Sequence, residues 1–230
     1  MEIRREHIFE RLLRLPLFQG LSREELTAIA GHTPLAFTHH EAGTTLHNEG
    51  DVCDEMTFVI EGQLTAISQA DDHSYRVEEQ LYAPTLLAPE YLFGLTQHYP
   101  QCYVTTTRCD LLVIGKSEVQ VLMEGYAIFR ASLLNIIATR AQRMARRPWR
   151  PQPSTTRQKI CRFLADHCLY PAGDKVFHIG MQQLATAVGE SRLNVSKQLH
   201  VMHDEHLISI SRERIHIPAM EKMFEANRNN

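Results

Sequence analysis

A short segment near the end of the chain carries side chains that could hydrogen-bond to the edges of DNA bases. On a helix they share the side facing away from an apolar stripe, and they are Arg192, Asn194, Ser196 and Lys197. The stripe itself consists of Val195, Leu199 and Met202. A guanidinium can form two hydrogen bonds with guanine, which is worth roughly 1–3 kcal/mol of discrimination between bases. The segment therefore indicates DNA recognition, provided that the fold presents this helix to a groove.

The residues just before this segment predict such a fold. Gln182–Val188 has apolar side chains at helical spacing, and Gly189 is suited to end a helix in a left-handed conformation. Ser191 can then cap the next helix by accepting a hydrogen bond from a free backbone N–H group. Two short helices joined by a glycine-containing turn predict a helix-turn-helix. Gln182, at the start of its first helix, is a further candidate for DNA contact.

A β-hairpin is predicted behind the helix-turn-helix. Leu207–Ile210 and Ile215–Ile217 are short alternating runs on either side of a charged tetrapeptide. A helix-turn-helix followed by a hairpin is a winged helix, which normally lays one helix into a major groove. Arg212 and Arg214 in the hairpin are candidate DNA contacts. The alternative is an ordinary αα-corner inside a globular domain.

The charge distribution favours contact with a polyanion by only one part of the chain. The net charge of the 230 residues is −3, but residues 1–129 hold 8 Lys and Arg against 19 Asp and Glu. Residues 130–230 hold 16 basic residues against 8 acidic ones, and Arg130–Arg162 contains nine basic residues and no acid. An acidic front half and a basic back half are expected when one domain binds nucleic acid. A solvated helix face is the alternative, although such faces usually mix both signs.

Composition predicts a soluble, cytoplasmic protein without a membrane partner. Apolar residues make up 43% of the chain and charged residues 22%, and no run approaches the roughly 18 apolar residues of a membrane span. The N-terminal stretch carries acids and lacks the apolar core of a signal peptide. The five cysteines are odd in number and lack CxxC spacing, which suits reduced thiols.

The front half of the chain predicts a β-roll preceded by helices, and hence an α+β fold. Residues 2–15 predict a first helix that Pro16 ends, and Ser22–Glu25 is a capping box that opens a second helix. From Leu35 to Ile114 the chain changes to short alternating runs broken by Gly, Asp and Pro. Strands of this length and spacing predict an antiparallel barrel or roll.

A long helix is predicted over Tyr126–Arg147, after a short one over Ser117–Glu124. It has two neighbouring stripes: one holds Phe129, Leu133, Ile136 and Arg140, and the other holds Leu134, Ile137, Ala141 and Met144. A helix with two apolar faces must bury both. One can cover the roll, and the same helix of a second subunit can cover the other. The predicted dimer contacts are Phe129, Leu133, Ile136, Ile137, Arg140 and Met144. A monomer with one buried helix is the alternative.

Four segments follow from these elements. We predict a β-roll sensor domain over 1–116, a short helix and dimerisation helix over 117–147, a proline-rich hinge over 148–153 and a winged-helix domain over 154–230. In the last segment, Thr155 or Thr156 can cap a helix over Arg157–His167.

The order of these parts resembles the CRP/FNR family of transcriptional regulators. Ala42–Asp51, continued by Phe58–Leu64, is similar to the family's roll signature. The family's helix-turn-helix is matched by Leu184, Ala185, Val188, Gly189, Ser191, Arg192, Val195 and Leu199. The resemblance implies a homodimer paired through the long helix, a palindromic DNA operator, and RNA polymerase as a partner of an activator. It also implies that a signal sensed in the roll shifts the dimer between DNA-competent and incompetent states.

The effector region departs from the cyclic-nucleotide binders of this family. Those proteins hold the phosphate with a glycine–glutamate turn and an arginine–serine pair, and the matching residues here are Glu90, Gln101, Cys102 and Tyr103. Without the arginine a buried cyclic phosphate would lack its counter-charge, so the sequence disfavours cyclic AMP. It also disfavours an iron–sulfur cluster, because the first cysteine is Cys53 and the cluster needs N-terminal cysteines. Haem stays open, with His39, His40, His47 and His98 as candidate axial ligands.

The recognition pattern departs as well. The family's common R-E-x-V-x-R is here Arg192-Leu193-Asn194-Val195-Ser196-Lys197. Leu193 replaces the acceptor for cytosine, and Lys197 is a point charge rather than a planar fork. We therefore expect an operator unlike the family's best-known one.

Two other classes of protein are the alternatives. A metal-dependent cupin-like enzyme could use His39, His40, His47 and Glu49, but adjacent histidines on a strand point to opposite faces. The chain also has no nucleophile elbow, P-loop or dinucleotide fingerprint. We therefore expect no catalytic activity. A helix-turn-helix used only for protein contacts is the other alternative, and salt-dependent binding to duplex DNA would distinguish it.

Overall fold

A computed structural model describes residues 10–146, 149 and 151–228, which group into two compact units. The first consists of Met1–Leu64 and Tyr82–Arg146, and the second of Thr65–Leu81 and Arg147–Asn230. The N-terminal part is rich in β-strands, and the C-terminal part is a winged helix-turn-helix. This arrangement confirms the predicted α+β fold class. Among the described residues, no single helix has the length and apolarity to cross a membrane. Lys116–Gly125 and Ala127–Ala145 meet that test only as a pair bent by 117°.

The first unit begins with helical turns. Residues 10–13 are helical, Pro16–Phe18 forms a 3-10 helix, and helix α1 spans Arg23–His32. The Ser22 hydroxyl accepts from the Glu25 backbone N–H, while the Glu25 carboxylate accepts from the Ser22 N–H. This reciprocal pair confirms the predicted capping box. Residues 2–9 of the predicted first helix lie outside the described residues.

Short antiparallel strands follow along the chain. They are β1 Ala36–His40, β2 Thr45–His47, β3 Glu55–Glu61, β4 Gln63–Gln69, β5 Arg76–Tyr82, β6 Thr85–Leu86, β7 Cys102–Thr105 and β8 Cys109–Gly115. Most of these strands belong to the first unit, whereas most of β4 and nearly all of β5 belong to the second. One sheet has the order β1-β8-β3-β6, and β2 pairs with β7. Phe58 on β3 and Leu112 on β8 are register partners and are fully buried. A second 3-10 helix covers Pro89–Tyr91.

Two helices close the first unit: α2 spans Lys116–Gly125 and α3 spans Ala127–Ala145. Phe129 and Leu133 are buried, and the Phe129 ring lies 5.3 Å from the ring of Phe18. The prediction that Phe129 and Leu133 contact a second subunit is therefore wrong, because their own chain covers them. The neighbouring stripe is open, with Leu134 54% and Met144 57% exposed.

The second unit contains the winged helix. Its elements are α4 Thr156–Asp166, β9 Lys175–His178, α5 Met181–Val188, α6 Arg192–Asp204, β10 Ser209–Ser211, β11 Arg214–Ile217 and α7 Met220–Arg228. Thr155 caps the N-terminus of α4, and its hydroxyl accepts from the Gln158 N–H. Helices α4, α5 and α6 pack with strands β9 and β11 around one apolar core. This core includes Ile160, Leu164, Leu184, Leu199, Phe177 and Ile215.

Strand β5 belongs to the sheet of this second unit. The order runs β10-β11-β9-β5, and every pair is antiparallel. Glu79 on β5 stands opposite Lys175 on β9, and both side chains are fully buried. The sequence predicted neither β9 nor this pairing, and our segment 1–116 assigned residues 65–81 to the roll. Of the predicted hinge 148–153, Pro148 and Arg150 lie outside the described residues.

Candidate nucleic-acid interface

The turn between α5 and α6 has the predicted helix-turn-helix geometry. Gly189 ends α5 with φ +65°, in the left-handed region that glycine adopts without strain. The next residue, Glu190, donates its backbone N–H to the Ala185 carbonyl at 3.0 Å. Ser191 then starts α6, and its hydroxyl accepts from the Asn194 N–H at 3.1 Å. The sequence therefore predicted both ends of the turn correctly.

Helix α6 is held by one apolar side and presents a polar one. Val195, Leu199 and Met202 are fully buried. On the rest of the surface Arg192, Asn194 and Lys197 are exposed, and Ser196 is half-buried. Arg192 and Lys197 form no ion pair within the described part of the chain. Their charges are thus available to an external anion or base.

The remaining predicted contact residues are also exposed. Gln182 lies in the first turn of α5, at the end nearest its N-terminus. The predicted hairpin is confirmed as β10 and β11, and Arg212 and Glu213 form its turn, with Glu213 at φ +55°. Arg214 is exposed while the next residue, Ile215, is buried in the core. The hairpin therefore displays two guanidinium groups from a fixed base.

Two linked hydrogen bonds between side chains position the N-terminal end of α6. Lys159 Nζ on α4 lies 2.6 Å from Glu190 Oε1, and Asn194 Nδ2 donates to Glu190 Oε2 at 3.3 Å. The hydrogen bond from Lys159 lowers the pKa of Glu190 below its ordinary value, and that from Asn194 adds to the effect. Glu190 therefore stays ionised at neutral pH and ties α4 to α6. Its place inside the predicted turn was the one signal in the sequence that could have found it.

A second ion pair joins α4 to the other end of α6. Arg157 donates two hydrogen bonds to the carboxylate of Glu205, at 2.8 and 2.7 Å. This hydrogen bonding lowers the pKa of Glu205 and raises that of Arg157. A bidentate ion pair has a defined geometry, so it fixes the orientation of α6 relative to α4 as well as holding the two together. Sequence reasoning missed it because the partners are 48 residues apart.

The predicted effector residues do not form an open set of phosphate ligands. Glu90 is ion-paired with Arg140 on α3 at 2.5 Å, so two residues predicted for different sites meet in one chain. Gln101 and Tyr103 are buried, and Cys102 is partly buried. Arg140, which was predicted at a dimer interface, is paired within its own subunit, and its contact with a second subunit stays a prediction. A shallow cavity of 570 Å³ lies elsewhere, lined in part by Arg14, Tyr82 and Pro84.

The histidines of the first unit are dispersed. His39 Nδ1 lies 2.6 Å from Asp110, and His40 Nε2 lies 3.1 Å from the Thr38 hydroxyl. His47 stacks on Tyr99 with ring centroids 3.9 Å apart, and burial lowers its pKa. His98 is exposed. Within the residues that the structure describes, no three His, Cys, Asp or Glu side chains are grouped to hold a metal ion, so the geometry gives the cupin-like alternative no support.

Comparison with known protein families decides the class of the second unit. Residues 158–225 match the Crp-like helix-turn-helix domain, which is the segment from α4 to α7. The DNA-binding domain is of the Crp-like family. This match supports the resemblance to the CRP/FNR transcriptional regulators, whose helix-turn-helix domain it covers. The members of the CRP/FNR family are transcriptional regulators rather than enzymes. A search of curated proteins finds no match.

Several solved structures are similar in fold to this chain. The sensor domain of the regulator DNR from Pseudomonas aeruginosa superposes with a TM-score of 0.52 at 16% identity, over 67% of this chain and 99% of that one. Catabolite activator protein from Thermus thermophilus has a TM-score of 0.48 at 18% identity, over 93% and 99%. FixK2 from Bradyrhizobium japonicum has a TM-score of 0.46 at 11% identity, over 83% and 96%.

Proposed function

We propose that this chain is a sequence-specific transcriptional regulator that binds a palindromic DNA site as a homodimer. The observation that carries the proposal is the outward side of α6. Arg192, Asn194 and Lys197 are exposed there while the opposite side is locked into the core. A rigid helix that offers hydrogen-bonding and basic groups fits a major groove. Arg212 and Arg214 on the hairpin add charges suited to phosphates.

The homodimer part of the proposal rests on α3. Its stripe of Leu134, Ile137, Ala141 and Met144 has two large side chains more than half exposed. Covering these apolar groups with the same stripe of a second copy removes them from water, and a twofold axis makes the two surfaces self-complementary. A twofold dimer presents one α6 to each half of a palindromic site, which is why we pair the two inferences.

The direct experiment is binding to labelled duplex DNA of random sequence, followed by fluorescence anisotropy at rising salt. Release of counterions from phosphates makes such binding strongly salt-dependent. We expect the dissociation constant to rise by more than about tenfold between 50 and 200 mM salt. Failure to bind any duplex at 50 mM salt would instead favour a helix-turn-helix used for protein contacts.

Replacing Arg192 with alanine should relax sequence specificity at one base pair of each half-site. The guanidinium is exposed and forms no ion pair within the described residues, so its loss should leave folding unchanged. We expect roughly 1–3 kcal/mol less discrimination at that pair. Arg212→Ala is the matched control: it should lower affinity evenly across sequences and reduce the salt slope by about two, one for each subunit of the dimer. Equal base profiles for wild type and Arg192→Ala would contradict the assignment.

We propose that a signal sensed in the first unit controls DNA binding, with RNA polymerase as a partner if genes are activated. The guanidinium of Arg140 is already paired with Glu90 and is not open to a cyclic phosphate, so cyclic AMP stays disfavoured. Haem stays a candidate, since burial favours the neutral ring of His47, the form that binds metals. An absorption spectrum with added haem separates the two cases: a Soret band supports haem, and its absence directs attention to other signals.

A further inference from the structure

Leu193 is the most exposed large apolar side chain of the recognition helix α6. It is 77% exposed, against 38% for Val201 on the same helix. A single exposed leucine needs no explanation by itself. Its position is what matters, since it directly follows Arg192 and directly precedes Asn194.

Leu193 lies near the middle of the outward side of α6. Successive residues turn by about 100° around a helix, so Leu193 and Lys197 both lie about 160° from the buried Val195. It also belongs to the first turn, the end of a recognition helix that contacts base edges. A helix docked by this side would bring the Leu193 side chain against the floor of the major groove.

The chemistry of the groove limits what Leu193 can contact there. Thymine is the one base that presents a methyl group at the major-groove edge, whereas the other three present mainly hydrogen-bond donors and acceptors there. A leucine packed against a donor or acceptor would displace the water bound to that polar group. The leucine could not replace the lost hydrogen bond, so the contact is unfavourable. The neighbouring Asn194 amide is drawn toward Glu190, at 3.3 Å. The leucine itself has no polar atom with which to restore that bond, whereas contact with a methyl group displaces no hydrogen bond.

We propose that Leu193 reads the C5-methyl group of one thymine in each half-site. The inference rests on the proposed function of α6 in DNA recognition and adds the identity of one base pair. Arg192 and Leu193 would then give adjacent readings, one of a guanine through hydrogen bonds and one of a thymine through an apolar contact.

The first test is selection of binding sites from randomised duplexes with three proteins: wild type, Leu193→Ala and Val201→Ala. Both substituted residues are exposed apolar side chains of the same helix, so neither change should disturb folding. We expect wild type and Val201→Ala to enrich one thymine·adenine pair at the same place in each half-site. Leu193→Ala should lose this preference and keep the others.

The second test removes only the methyl group. In one half-site of the selected site, that thymine is replaced by deoxyuridine and binding is measured by anisotropy. Wild type and Val201→Ala should bind about fourfold more weakly, the ratio expected for loss of one methyl-sized apolar contact. Leu193→Ala should bind both duplexes equally.

The outcomes separate this inference from the function on which it rests. If wild type enriches no sequence, DNA reading by α6 is overturned, and the role of Leu193 with it. If wild type enriches a site but Leu193→Ala gives the same base profile, only the role of Leu193 is overturned. The role of Leu193 would also be overturned if deoxyuridine weakened binding equally for wild type and Leu193→Ala. The same holds if Leu193→Ala lost affinity evenly for all sequences without a change in its base profile.

Discussion

Replacing Glu79 with alanine is expected to destabilise the second unit by about 3–5 kcal/mol, the range for a buried ion pair that loses one partner. Glu79 and Lys175 are fully buried, 3.5 Å apart between Oε2 and Nζ. The two Glu79 oxygens also accept the N–H groups of Leu169 and Tyr170. Burial raises the pKa of Glu79, although Lys175 and these N–H groups oppose the shift. The substitution therefore leaves an ammonium without a counter-charge and two donors without their acceptor.

Amide hydrogen exchange of β9 measures this effect, because it reports opening of the second unit separately from the first. Glu78→Gln is the matched control: Glu78 is partly exposed beside Arg76 and His178, and its loss should cost about 1 kcal/mol or less. The double variant Glu79→Leu/Lys175→Met removes both buried charges and should recover part of the loss. Similar losses in Glu79→Ala and Glu78→Gln would show that the pair does not hold β5 to β9.

Replacing Leu134 with glutamate is expected to separate the dimer and to weaken binding to a palindromic duplex by about 100-fold or more. The side chain lies on the exposed stripe of α3, so twofold pairing would place two new carboxylates in an apolar contact. Once separated, each subunit binds one half-site without the raised effective concentration that its partner supplies. Sedimentation velocity gives the oligomeric state, and anisotropy gives the affinity.

Thr139→Glu is the control for this prediction. Thr139 is exposed on the same helix, and by helical geometry it lies about 140° around the axis from Leu134. It adds the same charge away from the stripe and should leave both the dimer and the affinity unchanged. A Leu134→Glu protein that still sediments as a dimer would contradict pairing through this stripe.

Local signals in the sequence were sufficient for the helix-turn-helix. Gly189 and Ser191 set the ends of two helices through their own backbone preferences, and Val195 and Leu199 follow the helical period. The capping box at Ser22 was equally readable, because its two hydrogen bonds join residues three apart. Such features depend on neighbours in the chain, so they need no knowledge of the tertiary fold.

Contacts between distant residues could not be read in the same way. Nothing near Lys175 in the sequence indicated that it would be buried and paired with Glu79. The two stripes of α3 were recognised, but periodicity alone could not tell which one the chain covers; Phe18 decides this by packing on Phe129. The same limit placed Glu90 and Arg140 at separate sites although they form an ion pair.

The most direct test of the central claim is sedimentation equilibrium of the purified protein with its selected palindromic duplex in 50 mM salt. We predict a complex of two chains and one duplex, formed by a protein that is already dimeric alone. A chain that stays monomeric and leaves the duplex free at this low salt concentration would contradict the claim.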